Sequence, residues 1–311
     1  MALSVTQANT VSKDVYNKDY SENVYDSHPF LKTLKDKKKV IVAGGDQITF
    51  PVQYKSLGTG DAVDWGDQIN FESIDTWTQA VLDWAPYRAH TMLTWEERSK
   101  NQAGPQQIVN LIKNKHKQLE AEMAFRIATD IWATSAVSGR ITPIATIVDA
   151  DDSYAGIAVG DAPVWAGNED TSSTTLTRAL LYEDVVTSEF ADGKPNAHYT
   201  TRALLAAYNS LLGADERYQN TKDANAGFTT LTLYGDPVYS DSYIAAGDWF
   251  GLDMDAFELH MMKGENMAVS DWEDLHVAGY PKSLSKIATC VTNLVCYRRR
   301  TSFKLTALTG T

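Results

Sequence analysis

Apolar and polar residues alternate through "QITFPVQYK". Ile48, Phe50, Val52 and Tyr54 share one face; Gln47, Thr49, Gln53 and Lys55 share the other. A period of two predicts a strand with one face to cover. No tight turn follows. The chain runs through "LGTGDAVDWGDQINFESIDT" into a second β-rich stretch, "WTQAVLDWAPYRAHTMLTW", which also lacks a helical period. The pattern predicts a long two-armed excursion with no helix above it, and an isolated hairpin is only marginally stable in water. Its apolar face needs a partner.

The period then changes. From Pro105, at home as a first helical residue, Ile108, Leu111, Ile112, Leu119, Met123, Ile127 and Ile131 recur at intervals of three, four or seven. This predicts one helix of about 30 residues, roughly 45 Å long, against a usual length of ~11. Lys113, Lys115, Lys117, Glu120 and Glu122 fall largely off the stripe, and His116 is placed on its exposed side. Residues 136–175 read as polar loops. Helices are expected over about 175–191 and 201–212, the second capped by Thr200 and closed by Gly213. Strand signals return in "FTTLTLYG", after a Gly-Asp-Pro turn in "PVYSDSY", and in "DWFGLDM" and "AFELHMM". The C-terminal "SKIATCVTNLVCYRRRTSFKLTAL" reads as long paired strands around a turn at Arg298, Arg299 and Arg300.

The 311 residues carry a formal net charge of −12, the opposite of what a protein gripping nucleic acid through phosphates carries. Cys290 and Cys296 lie six apart on one strand-like run, on one face and about 20 Å apart. They cannot bridge to each other and suit a reducing compartment. No apolar run approaches the ~20 residues of a membrane span, and the N-terminus has no apolar signal region.

Catalytic patterns are missing. There is no G-x-S-x-G, P-loop or G-x-G-x-x-G, and Gly44-Gly45-Asp46 precedes a strand, so it is a turn. The six histidines have no H-x-x-x-H spacing. Asp149, Asp151, Asp152 and Ser153 fail as a calcium loop because Tyr154 stands where Gly is required, which leaves Asp-rich turn chemistry. No catalytic, metal or cofactor residue is nominated.

The order of parts resembles the major capsid protein of tailed bacteriophages, with the Hong Kong ninety-seven fold. "HPFLKTLKDKKKVIVAGGDQITFPVQY" resembles the arm leading into the extended loop, and "DTWTQAVLDWAPYRAHTMLTWEERSKNQAG" the loop's return to the spine helix. "DAPVWAGNED" resembles the link before the axial domain. The stretch from "PNAHYTT" to "DMDAFEL" resembles the axial core, and "NLVCYRRRTSFKLTAL" the closing strands. No piece is a sharp motif; the pieces are specific in their order.

The resemblance implies an α+β chain divided into an N-terminal arm (1–45), an extended loop (46–100), a peripheral domain with spine helix and linking loop (101–174), an axial domain (175–270) and closing peripheral strands (271–311). It implies a structural, non-enzymatic shell subunit without cofactor. Hexamers and pentamers would form the icosahedral head of a virion, assembled in the host cytoplasm around double-stranded DNA without sequence-specific contact. A separate scaffolding protein or none, a portal, and room for a decoration protein go with it. A crosslink through Lys55 lacks an identifiable partner. The extended loop would lie across the neighbouring subunit and rest its apolar face there. Contact residues would be its aromatics Phe50, Tyr54, Trp65, Trp77 and Trp84, with the acidic, mobile tip meeting a Lys-rich arm at Lys35 and Lys38. The plain alternatives are a solvated lysine cluster and aromatics forming a local mini-core. Rival readings are the same fold in a cellular nanocompartment or gene-transfer particle and, from another class, an α/β hydrolase-like enzyme.

Overall fold

The computed structural model describes residues 28–310 except 56, 59, 61, 63–70, 72, 101–104, 172–173, 191–192, 213–230 and 276–281. Its organising element is strand β13 (Leu284–Cys296). One edge of β13 pairs antiparallel with β4 (Ala85–Leu93), from Leu284↔Leu93 to Thr292↔Ala85. The other edge takes β12 (Glu273–Asp274), β11 (Ala268–Val269) and β10 (Phe257–Met262) in succession. Beyond β10 lies β1 (Val40–Ala43), parallel to it and at the border of the sheet.

The long helix is present as α3 (Pro105–Ile131), after α1 (Pro29–Asp36) and α2 (Trp95–Lys100). Ile112, Leu119, Met123, Ile127 and Ile131 are buried, as their spacing requires. A polar lock joins this helix to the sheet. Tyr87 of β4 donates its hydroxyl to Asp130 Oδ2 at 3.0 Å and accepts the Ile141 amide at 2.9 Å. His116, expected on the exposed side, is buried instead. Its ring meets Trp272 edge-on, and its Nε2 lies 3.3 Å from Lys286 Nζ of β13. His116 stands four residues after Ile112 and three before Leu119, so it belongs to the same buried stripe, and its polar side chain alone suggested exposure.

A second mixed sheet runs β5 (Asn168–Asp170), β14 (Phe303–Leu305), β9 (Trp249–Leu252), β6 (Ala197–Thr200), β8 (Asp236–Ser240), β7 (Leu231–Leu233). Helices α5 (Arg178–Ser188) and α6 (Arg202–Leu211) share its core through Leu181, Val185, Leu204 and Tyr208, against Trp249 and Phe303. The short α4 (Ile144–Ile147) lies between β4 and β5 in sequence. Gly251 of β9 has to be glycine, because an added Cβ would lie 2.1 Å from the Phe303 ring.

Several expectations change at this level. The segment expected as a weakly patterned arm is, from residue 28, structural: α1 buries Phe30, Leu31 and Leu34, and β1 extends the sheet. The β-rich run 77–95 divides at Asp83-Trp84 into β3 (Trp77–Leu82), which pairs with β2 (Ile48–Gln53), and β4, which enters the main sheet. The cap of α6 is Thr201 rather than Thr200, whose hydroxyl is committed to the Asp248 carbonyl at 3.1 Å. Gly213 lies outside the described residues. The turn between β7 and β8 is Tyr234-Gly235, both at positive φ, and Pro237 belongs to β8. The C-terminal strands do not pair with each other. After the arginine turn β14 crosses to the second sheet, because Arg299 is drawn into the 146–152 turn and redirects the chain.

Candidate inter-subunit surfaces

The expected contact residues divide into three groups. Phe50 is 5% exposed and sits with Ile48 and Val52 in the chain's own main core. The apolar face of the β2–β3 arm therefore rests on its own subunit. This corrects the expectation that it waits for a neighbouring copy. The reason is geometric: β3 donates the Val81 amide to Ala155 O at 2.9 Å, which holds the arm's base against the body, and Phe50 meets Tyr297. Tyr54 and Trp84 are half-buried against the same core, and Trp84 Nε1 donates to Gly45 O at 3.0 Å. Trp77 alone among the described aromatics of this set is openly displayed, at 57% exposure. Trp65 and most of the acidic tip lie outside the described residues.

The lysine cluster is also divided. Lys37 pairs with Asp255 at 3.0 Å and Lys39 with Glu258 at 3.2 Å, so part of its acidic complement is supplied within the subunit. Lys35 is half-buried at the end of α1. Lys38 is exposed, held by a left-handed backbone (φ 58°) where the chain turns from α1 into β1.

Other displayed apolar residues escaped the sequence reading. Phe71, near the far end of the excursion, is 90% exposed. Val42 of β1 is 55% exposed beside Ile41. Val186 and Phe190, four apart at the end of α5, are exposed, with the Arg300 guanidinium 4.2 Å from the Phe190 ring centroid. The uncharged β-branched run "VIVA" between a lysine cluster and two glycines was the available signal for the first sheet's border.

Buried charge is used to fix the body. Lys304 Nζ contacts Asp149 Oδ2 at 2.7 Å, Glu169 Oε1 at 3.0 Å and Ala145 O at 3.1 Å. Burial pushes Asp149 up, but Lys304 and the Asp151 and Asp152 amides outweigh it and hold the carboxyl at about 2. Those two amides donate to Asp149 Oδ1, so the Asp-rich segment is a hydrogen-bonded turn. Fully buried Arg299 donates to the carbonyls of Thr146, Ile147, Asp149 and Asp152. Both cysteines are free and buried, and burial pushes each thiol up to about 12, which makes them poor nucleophiles at neutral pH. Burial lowers His198 to about 3 and, with Lys286 nearby, His116 to about 4. An open cleft of about 260 Å³ lies between the β3–β4 corner and loop 136–142, lined by Asp83, Trp84, Val137, Arg140 and Asn293. Among the described residues no group of three or more His, Cys, Asp or Glu side chains could hold a metal ion, and no helix is long and apolar enough to cross a membrane.

No family model matches the sequence, and no curated protein does. Solved structures do match. The capsid asymmetric unit of cyanophage A-1(L) is similar with a TM-score of 0.63 at 13% identity, covering 87% of this chain and 90% of that one. The capsid of an empty GTA particle gives 0.60 at 13% identity over 88% and 95%. A Mycobacterium phage Bobi chain gives 0.55 at 10% identity with both chains covered in full. With its arm-borne β2–β3 hairpin, its long helix laid on the β13 sheet and its second mixed sheet, the chain has the Hong Kong ninety-seven fold of phage capsid proteins.

Proposed function

We propose that this chain is the major capsid protein of a tailed phage, a non-enzymatic subunit that assembles with copies of itself into hexamers and pentamers of an icosahedral head. The observation that carries the reading is the coverage of the fold match. Nearly the whole length of both chains aligns with capsid subunits, so the likeness is not confined to one shared motif. In this reading 1–45 is the N-terminal arm, 46–100 the extended loop, 101–174 and 271–311 the peripheral domain, and 175–270 the axial domain. The two sheets do not follow these limits, since β10 joins the first sheet and β14 the second. The shell encloses double-stranded DNA without reading its sequence, and the net charge of −12 favours weak contact with it. A portal goes with this role, with or without a separate scaffolding protein or a decoration protein. The subunit assembles in the host cytoplasm and ends in the virion.

A gene-transfer particle is the second reading, favoured by the match to the GTA capsid. The test is expression of the chain followed by electron microscopy. Closed or aberrant shells are expected, and a chain that stays monomeric under all assembly conditions overturns both readings. Long phage-genome DNA inside particles isolated from the source supports the phage; short heterogeneous host fragments support the gene-transfer particle.

A further inference from the structure

Among the described residues, strand β1 borders the main sheet with one side open. The Leu259 and Lys263 amides donate to Lys39 O and Ala43 O, each at 2.8 Å. The alternation of a parallel ladder places Ile41 with those two residues. Val40 and Val42 therefore turn their N–H and C=O groups the other way, and among the described residues no strand pairs with that side. The strand reads Val-Ile-Val-Ala, uncharged along its length, with Ile41 and Val42 exposed. Protein sheets usually protect such a border with charge, proline or a bulge. Here the charges sit at the ends: Lys38 before the strand, and Asp46 after the two glycines. Both are exposed.

We propose that this border is a joint between two copies of the chain, with β1 pairing antiparallel to the partner's β1 about a two-fold axis. A two-fold contact must be self-complementary, and the outward groups leave few registers. With Val42 opposite Val42 of the partner subunit, Val40 faces Gly44 of the partner subunit, and each facing pair turns its hydrogen-bonding groups inward. The same register brings the Lys38 turn before one strand beside the bend at Asp46 of the partner subunit, at both ends. A register shifted by one pair, with Ile41 opposite its own copy, brings Lys38 to Gly44 of the partner subunit instead and forgoes the opposite charges. Gly44 and Gly45 leave room beside the partner's Val40 and Lys39. The joint deepens the shell reading by naming one subunit contact, yet it stands on the strand's own geometry.

The test is a Val42→Cys variant of the full chain, oxidised as it associates. Facing Cα atoms in such a hydrogen-bonded pair lie about 5.5 Å apart, within the roughly 4.4–6.8 Å that a disulfide spans. Cys290 and Cys296 are buried and do not compete. A covalent dimer on a denaturing gel is the expected result. Charge variants check the register independently. Lys38→Glu lowers the crosslinking yield or the association constant roughly five-fold, as about 1 kcal/mol of rim charge would, and adding Asp46→Lys restores it. Particles that form without the crosslink overturn the joint and leave the shell reading standing. Crosslinked soluble dimers without particles do the reverse, and monomers with neither overturn both. A charge pair that fails to restore association overturns the register.

Discussion

Phe50 of β2 and Tyr297, just beyond β13, meet edge to face with ring centroids 5.2 Å apart, 247 residues distant in sequence and within one subunit. This contact fastens the base of the excursion to the body. Tyr297 is itself held by its hydroxyl, which donates to Glu258 Oε2 at 2.9 Å. Phe50→Ala should therefore destabilise the isolated subunit by about 3–5 kcal/mol, as removal of a buried aromatic does. Thermal unfolding of unassembled protein is the measurement. An unchanged melting temperature with lost assembly would return Phe50 to the interface.

The sequence made the period legible but not the partner of each period. The alternation at Ile48, Phe50 and Val52 is read correctly as a half-buried strand, because periodicity reports only that one face is covered. What covers it is set by Tyr297 and by the Ala155 carbonyl, contacts too remote for any local pattern to show. The long helix was legible because its stripe repeats over seven turns. Strand β6 was not, since Ala197–Thr200 is four residues long and buried throughout, leaving no alternation to read. His116 shows the opposite case: it stands four residues after Ile112 and three before Leu119, so helical spacing sets it on the buried stripe, and only its polar side chain suggests exposure; Trp272 and Lys286 complete its cover. Of the expected contact residues, Trp77 and Lys38 are displayed, and Phe50 is not.

Leu119 lies at the middle of α3 and is 2% exposed. It packs in the main core with Met123 and Ile127. Leu119→Ala removes buried methyl groups and leaves a cavity, at a cost of about 2–5 kcal/mol. Denaturant unfolding of the subunit should show the loss as a lower midpoint at constant slope. If the variant unfolds like the parent but no longer associates, the stripe is an interface.

Stability should depend on pH in two opposed ways. Burial, then the charges of Asp170 and Glu183, raise Asp184 to about 6. A raised carboxyl binds its proton more tightly when folded, so its contribution is full below the ordinary carboxylate range and is lost as pH rises through about 6. Asp184→Asn should therefore be more stable than the parent at pH 7.5, by about 1 kcal/mol after allowance for partial exposure, and melt higher. The difference should close near pH 4. His198 acts in the other direction. Its ring is buried between Trp249 and Phe303, and burial followed by Lys194 depresses it to about 3. The unfolded chain binds the proton from about pH 6.5 downward, so stability falls as pH drops from there toward 3. His198→Leu should flatten the acid limb of a melting-temperature profile. An acid limb unchanged in that variant would place the acid sensitivity elsewhere.

The far part of the excursion is where assembly is most exposed to a direct test. The two stems are already joined where the described ladder ends. Gln53 lies opposite Trp77, and the Tyr54 amide donates to Thr76 O at 3.1 Å. A short Gly-Ser turn in place of residues 58–75 can therefore close the hairpin without pulling on β2 or β3. Among the described residues it removes the bond from the Tyr54 hydroxyl to Asp75 O. It also removes Phe71, an aromatic 90% exposed, while leaving the covered face of Ile48, Phe50 and Val52 intact. Large aromatic groups displayed this openly are what a partner surface uses as anchors. The shortened chain should thus fold and melt within a few degrees of the parent, remain soluble, and form no closed shells. Sedimentation and electron microscopy of the two proteins side by side decide the matter: normal particles from the shortened chain would show that the excursion beyond Tyr54 is not a joint between subunits.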